Sequence, residues 1–332
     1  MSGKIVPVSV KKVLVTGSAG LIGKALVRAL AEQSIVVAGL DCKAADETTG
    51  AAINYVCDIL DATRLTACVG EFTPDAIVHL AARTDFDEKK QLSGYTANIE
   101  GVSNLVEAIR KTPSVKRCIW TSTQLVCQVG YVPTGPLDYK PDTIYGRSKI
   151  RTEEIVRTSD GAGREWCLVR PTTVWGPGVS PHYQRFLKLV KAGLYFHVDP
   201  GPLYKSYSYV GNITYQYFQL LQAPAEAIQG RTLYLADYSP IDLVSWCNAF
   251  QRSFGARRIP VMPKALVHLL AYAGDALGAC GIREVPFNSL RLRNMLTQYQ
   301  FDMRETEAIC GPLPYSIEDG VKATADWINS LT

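Results

Sequence analysis

An α/β architecture, a doubly wound parallel sheet with a smaller C-terminal substrate-binding region, is the fold class this sequence predicts. Three observations carry it. Strand-like and helix-like runs alternate from Lys12 to Val169, a glycine-rich turn joins the first strand to the first helix, and the rhythm breaks after Pro171. Alternating strands and helices imply crossover units, which are nearly always right-handed and cover both faces of a parallel sheet.

Lys12-Val-Leu-Val-Thr16 reads as a buried strand. Leu21–Glu32 has Leu21, Ile22, Ala25, Leu26, Ala29 and Leu30 at helical spacing. Strands follow at Ile35–Leu40, Ile53–Cys57, Ala76–His79, Arg117–Thr121 and Trp166–Val169. Helices are expected near Ala62–Val69, Gly94–Arg110 and Ile144–Arg157. Residues 1–171 therefore read as a Rossmann-type nucleotide-binding domain. Residues 172–332, opening on a Pro-, Gly- and Tyr-rich stretch, read as mainly substrate-binding, with some segments returning to the core.

The 332 residues carry a net charge of +4, too small to suggest a nucleic-acid partner. Nine scattered cysteines without a C-x-x-C pair, and four histidines without ligand spacing, point to thiols in a reducing compartment and to no metal. The start Met1-Ser-Gly-Lys-Ile5 lacks the apolar stretch of a secretory signal, so the expected location is the cytoplasm. Ala265–Ile282 has about the length of a short membrane span, but contains His268, Asp275 and three glycines. A central Asp alone opposes insertion by about 2.5–3.5 kcal/mol. A core or surface helix is expected there, without stable membrane insertion.

Two motifs carry the chemistry. Gly17-x-x-Gly20-x-x-Gly23 sits where a tight turn would bring a pyrophosphate to unpaired N–H groups at a helix start, although a glycine turn without a ligand has the same pattern. Asp41, ending the second strand about twenty residues later, can accept the adenosine ribose hydroxyls and would repel a 2′-phosphate. It favours NAD over NADP, and Lys43 weakens that preference. Asp58 either borders the adenine or caps a helix. In the second motif, Tyr145 and Lys149 stand four apart on a helix and share one face. A free phenol titrates near pH 10; a neighbouring ammonium and a cationic nicotinamide would both favour the phenolate. Thr121, Ser122 and Thr123 supply candidate hydroxyl donors after a central strand, or satisfy backbone groups at its end.

With these motifs in order, the chain resembles an extended short-chain dehydrogenase/reductase of the NAD-dependent epimerase/dehydratase family, which acts mainly on nucleotide sugars. The resemblance rests on Thr16-Gly-x-x-Gly-x-x-Gly23, Asp58-Ile, His79-Leu-Ala-Ala82, Asn98-x-x-Gly101-x-x-Asn104, Thr121-Ser-Thr123, Tyr145-x-x-x-Lys149 and Arg170-Pro-x-x-Val-Trp-Gly-Pro177. It implies Tyr145 as acid/base, Lys149 as the cofactor-positioning cation and Thr123 as the group holding the reacting oxygen. It implies NAD along Gly17, Ala19, Gly20, Leu21, Ile22, Gly23, Asp41, Asp58, Ile59, Leu80, Ala81, Ala82, Asn98, Thr121, Tyr145, Lys149 and Pro171. A homodimer through the two long helices is also implied.

Departures from the family pattern narrow the reaction. Gln124-Leu125 stands where dehydratases carry acidic residues, which removes the acid and base of dehydration. Thr173 replaces an Asn that contacts nucleotide phosphates in many relatives. The candidate substrate contacts are Thr84, Thr123, Thr173, Arg185, Lys205 and Arg291; the three cations meet a diphosphate or stand as solvated charges. Tyr183, Trp175, Tyr204 and Tyr207 stack on a base, line an apolar pocket, or pack a core. The leading expectation is a nucleotide-sugar epimerase acting at C4. The alternatives are an NAD(P)-dependent reductase of a ketosugar or of a steroid- or flavonoid-like alcohol, and a non-catalytic nucleotide sensor.

Overall fold

The structure is a computed structural model and describes residues 10–44, 50–85, 91–198, 201–279 and 288–331. Six strands of the first half, β1 (Lys12–Thr16), β2 (Val36–Asp41), β3 (Ile53–Val56), β4 (Ala76–His79), β5 (Arg117–Thr121) and β6 (Glu165–Pro171), alternate with helices. These are α1 (Leu21–Glu32), α2 (Ala62–Phe72), α3 (Thr96–Arg110) and α4 (Ile144–Thr158). Spatial order in the parallel sheet is β6-β5-β4-β1-β2-β3, and the strand Arg231–Leu235 adds beside β6 in parallel register. The chain after Pro171 thus returns to complete the sheet. The run expected as a helix from Gly94 opens as a 3₁₀ turn, Leu92–Tyr95, before α3 begins.

Alternation along β1 shows why the sheet is covered on both sides. Val13 and Val15 face a core shared with α1 and the Val210–Gln222 helix, while Leu14 faces one shared with α2 and α3. A strand buried on both faces needs consecutive apolar residues, and β1 has them at Val13, Leu14 and Val15. The strand order reverses between β1 and β4, and open α/β sheets bind ligands beyond the strand ends at such a point.

The C-terminal region adds two two-stranded pieces. Thr173–Trp175 pairs with Tyr207–Tyr209, and Tyr204–Lys205 pairs with Ile241–Asp242. Of the three readings open for Trp175, the structure favours core packing: it is buried against Tyr209, Trp246 and Phe250. Its length of 16 residues makes Lys264–Ala279 a helix, and among the described residues none is long and apolar enough to cross a membrane.

Candidate functional site

The turn after β1 lies against the end of β4. Gly17 has φ +72°, and a Cβ there would sit 2.6 Å from the Ala81 nitrogen, so only glycine closes this contact. Gly20 is the N-cap of α1 and offers no side-chain bond; the first turn contains no acidic residue. Its N–H groups, from Leu21, Ile22 and Gly23, are therefore presented to an anion with the positive end of the helix dipole behind them. Asp41 steadies the loop: its carboxylate accepts from the Ala19 N–H and the Lys43 N–H, each at 3.0 Å. A carboxylate has about four acceptor sites, so capacity remains for ribose hydroxyls.

Other expected cofactor positions serve as supports. Asn98 is fully buried; its amide oxygen accepts from the Arg83 N–H at 2.8 Å, and its NH₂ donates to the Arg83 carbonyl and to Ser148. It holds the loop carrying Leu80, Ala81 and Ala82 rather than facing a ligand. Asp58 accepts from the Leu60 N–H in a local turn, and the cap of α2 is Asp61 instead. Ile59 is buried, Thr84 is exposed, and Pro171 is buried at the end of β6.

Thr123, Tyr145 and Lys149 come together where β5 ends. Thr143 caps α4 by accepting from the Gly146 N–H at 3.0 Å. A Cβ on Gly146 would lie 2.1 Å from the Leu125 carbonyl oxygen. Glycine therefore lets the first turn of α4 press against the short Gln124–Val126 helix that follows Thr123. This contact sets Tyr145 beside the Thr123 hydroxyl, and the two side chains are hydrogen-bonded. Lys149, one turn on, donates from Nζ to the Thr121 carbonyl at 2.7 Å. The three hydroxyls after β5 divide their work. The Thr121 hydroxyl bonds to the Tyr217 hydroxyl at 2.8 Å, the Ser122 side chain is directed to Glu153, and the Thr123 hydroxyl bonds to the phenol.

Burial pushes the Tyr145 phenol up to about 12, against a lowering hydrogen bond from Thr123. This corrects the expectation that the neighbouring ammonium lowers it: Lys149 makes its hydrogen bond to the backbone, and desolvation outweighs the protein's own help. Burial also brings Lys149 down to about 8, with the charge of Glu153 acting the other way. His79 is held neutral, lowered to about 3 by burial and then by Lys149, with Nδ1 2.8 Å from the Thr16 hydroxyl.

Sequence reasoning missed Glu153. It lies a further turn beyond Lys149 and is fully buried, paired through both oxygens with Arg170 at 2.9 Å and accepting from the Tyr139 hydroxyl at 2.8 Å. Burial works to raise its carboxyl, but the Arg170 guanidinium more than compensates and holds it low. Removing one partner of such a pair leaves an uncompensated buried charge, at about 3–5 kcal/mol. The signal was present: Tyr145, Lys149 and Glu153 repeat at intervals of four on α4.

On the substrate side, Gln124 donates to the Thr173 hydroxyl at 3.3 Å, and Thr173 bonds to the Tyr299 hydroxyl at 3.1 Å. Tyr183 joins through Thr173 and Tyr207. Burial pushes Tyr183 up to about 12 and Tyr207 and Tyr299 upward as well, so the wall is neutral and rich in hydroxyl and amide groups. Tyr299 was missed because it lies 126 positions from Thr173. Lys205 is buried behind this wall with Nζ 5.8 Å from the Tyr299 ring centre, and burial lowers it to about 8. Arg185 is exposed, as is Tyr204; the side chain of Arg291 lies outside the described residues.

The model of the NAD dependent epimerase/dehydratase family matches residues 13–202. The chain belongs to this family. Its cofactor is NAD, and the Gly17–Gly23 turn, Asp41 and the Leu80–Ala82 loop are residues that could hold it. One relative is the N-acetyl-α-D-glucosaminyl-diphospho-ditrans,octacis-undecaprenol 4-epimerase of Escherichia coli O157:H7. It is 26% identical over 326 residues, covering 95% of this chain and 94% of that one. A second is the 2-alkyl-3-oxoalkanoate reductase of Stenotrophomonas maltophilia, 26% identical over 321 residues and 92% of each chain. Among solved structures, the Bacillus cereus UDP-glucuronic acid 4-epimerase, in complex with UDP-glucuronic acid and NAD, superposes with a TM-score of 0.73. It is 20% identical, covering 97% of this chain and 100% of that one, a likeness of fold. The protein is an enzyme of the extended short-chain dehydrogenase/reductase type.

Proposed function

We propose that this enzyme interconverts epimers at C4 of a diphosphate-linked sugar, through a transient ketosugar. The observation that carries the reading is the Tyr145–Thr123 pair set beside a neutral wall of hydroxyl and amide groups. Bound NAD supplies the hydride acceptor and, once reduced, the hydride donor. Thr123 holds the sugar oxygen. Tyr145 removes the hydroxyl proton and later returns it. Lys149 fixes the ribose side of the site from its anchor on Thr121. Within the protein the Thr123 hydrogen bond favours the phenolate but is outweighed by burial, which holds Tyr145 up at about 12; a bound cationic nicotinamide would add a further influence toward phenolate.

The wall of Gln124, Thr173, Tyr183, Tyr207 and Tyr299 fits the many hydroxyls of a sugar and lets a ketosugar turn without meeting a fixed charge. Gln124 has no proton to exchange at neutral pH, which argues against dehydration. Residues 172–332 take mainly the substrate role in this reading, and Lys205, buried behind the wall, is not a diphosphate contact. The diphosphate carrier is a nucleoside, as for the B. cereus enzyme, or a polyprenol, as the name of the E. coli relative states. The enzyme works in the cytoplasm as a homodimer through α3 and α4. Eight free cysteines among the described residues fit a reducing compartment, and sizing chromatography checks the dimer.

A second reading, reduction of a hydrophobic carbonyl compound, is favoured by one observation. The Stenotrophomonas maltophilia relative, matched over 92% of each chain, is named as a 2-alkyl-3-oxoalkanoate reductase. Incubation with a panel of diphosphate sugars without added cofactor separates the two. The epimerase reading expects conversion with cofactor that co-purifies; turnover only with stoichiometric NADH contradicts it.

A further inference from the structure

The helix Lys264–Ala279 is built inside out. Its buried positions are Val267, Ala271 and Gly274, small residues that leave a thin contact with the protein. At about 100° per residue, its outward arc of roughly 160° carries Ala265, Leu266, Leu269, Leu270, Tyr272, Ala273, Ala276 and Leu277. Leu269 is 64% exposed and Tyr272 62%. Water-facing helix surfaces are normally polar, and apolar patches of this extent mark interaction sites. Just before the helix, the 194–198 segment runs beside 260–262 through backbone hydrogen bonds of His197 with Pro260 and Met262, and both Leu194 and Val261 are exposed.

Charge selects the occupant. Between Asp242 and Asp275 the sequence has no acidic residue and four cations, Arg252, Arg257, Arg258 and Lys264, all exposed. The chain's whole net charge is +4. Leucines on the outward face of a helix, preceded in the chain by a run of exposed cations, match the plane of an anionic bilayer, which demands no complementary shape. Tyr272 and His268 pack ring to ring at 6.3 Å, and such amphipathic side chains suit the headgroup level. Among the described residues no helix is long and apolar enough to span, so a docked helix would lie in the interface. A second copy of the chain is a poorer occupant, because it would bring the same four cations against their equivalents.

We propose that the outward face of Lys264–Ala279, with the basic residues before it, docks the protein on the surface of an anionic lipid bilayer. This inference does not rest on the sugar-epimerase reading. The test is flotation of the purified full-length chain with vesicles of phosphatidylcholine, with or without about a third phosphatidylglycerol. The protein should float with the anionic vesicles, less in high salt, and weakly with phosphatidylcholine alone. Combined Leu266→Ser, Leu269→Ser and Leu277→Ser should lower the partition coefficient at least about tenfold with the melting temperature and cofactor binding retained. Arg257→Glu with Arg258→Glu should lose the preference for phosphatidylglycerol. Failure of the native protein to float with either vesicle overturns the proposal. So does undiminished binding by the leucine variant, or a leucine-dependent dimer in sizing that leaves vesicle binding unchanged. Loss of sugar turnover in the native protein would bear on the epimerase reading and leave the vesicle result standing.

Discussion

The two halves of this molecule make their sites by different means. In the cofactor half, consecutive residues do the work through backbone: the Gly17–Gly23 turn meets the Leu80–Ala82 loop, and Asp41 ties the turn down through the Ala19 N–H. In the substrate half, the wall is assembled from side chains that are far apart in sequence, with Gln124, Thr173, Tyr183, Tyr207 and Tyr299 joined by hydroxyl and amide bonds. A backbone site tolerates little change at its glycines. A side-chain wall can lose one member and keep its shape.

The sharpest contrast comes from Gly17→Ala. The left-handed backbone and the 2.6 Å approach to Ala81 together cost roughly 2–5 kcal/mol. Cofactor affinity should fall at least about thirtyfold in calorimetric titration. Unchanged affinity would remove the backbone account. A smaller effect is expected on the pH profile. Burial brings Lys149 to about 8, so it is charged below that pH and loses its proton as pH rises through it. kcat/KM should decline above pH about 8, approaching tenfold per pH unit. A flat profile to pH 10 would show that the charge on Lys149 is dispensable. The smallest effect belongs to the wall: Tyr299→Phe removes one partner of Thr173 and should raise KM roughly two- to tenfold with kcat nearly unchanged. A collapse of kcat would place Tyr299 in the chemistry.

The same contrast explains what the sequence disclosed. The alternation of strands and helices and the order of motifs revealed the parallel sheet, because each depends on neighbours in the chain. The strand Arg231–Leu235 beside β6 did not stand out, since its place depends on a parallel partner more than sixty residues earlier. Tyr145, Lys149 and Thr123 were legible as residues, but the reason they meet, Gly146 against the Leu125 carbonyl, was not. Burial was the property read least well. It raises Tyr145 where a neighbouring ammonium was expected to lower it, and turns Asn98 into a support. The acid–base pattern Glu153–Arg170 joins a helix to a strand and acquires meaning only when both are seen inside the protein.

Glu153 also links the two halves. It neutralises Arg170 below Lys149, and its negative charge works to keep that lysine protonated near the cofactor side. The site is thus a column on α4, phenol then amine then carboxylate, with the phenol end beside Thr123.

Turnover of Tyr145→Phe, measured in the cofactor-free sugar assay alongside its NAD content, tests the account most directly. The variant should retain cofactor and the native fold while losing at least about a hundredfold in kcat. Turnover within a few-fold of the native enzyme, with NAD still bound, would contradict the assignment of Tyr145 as the group that moves the proton.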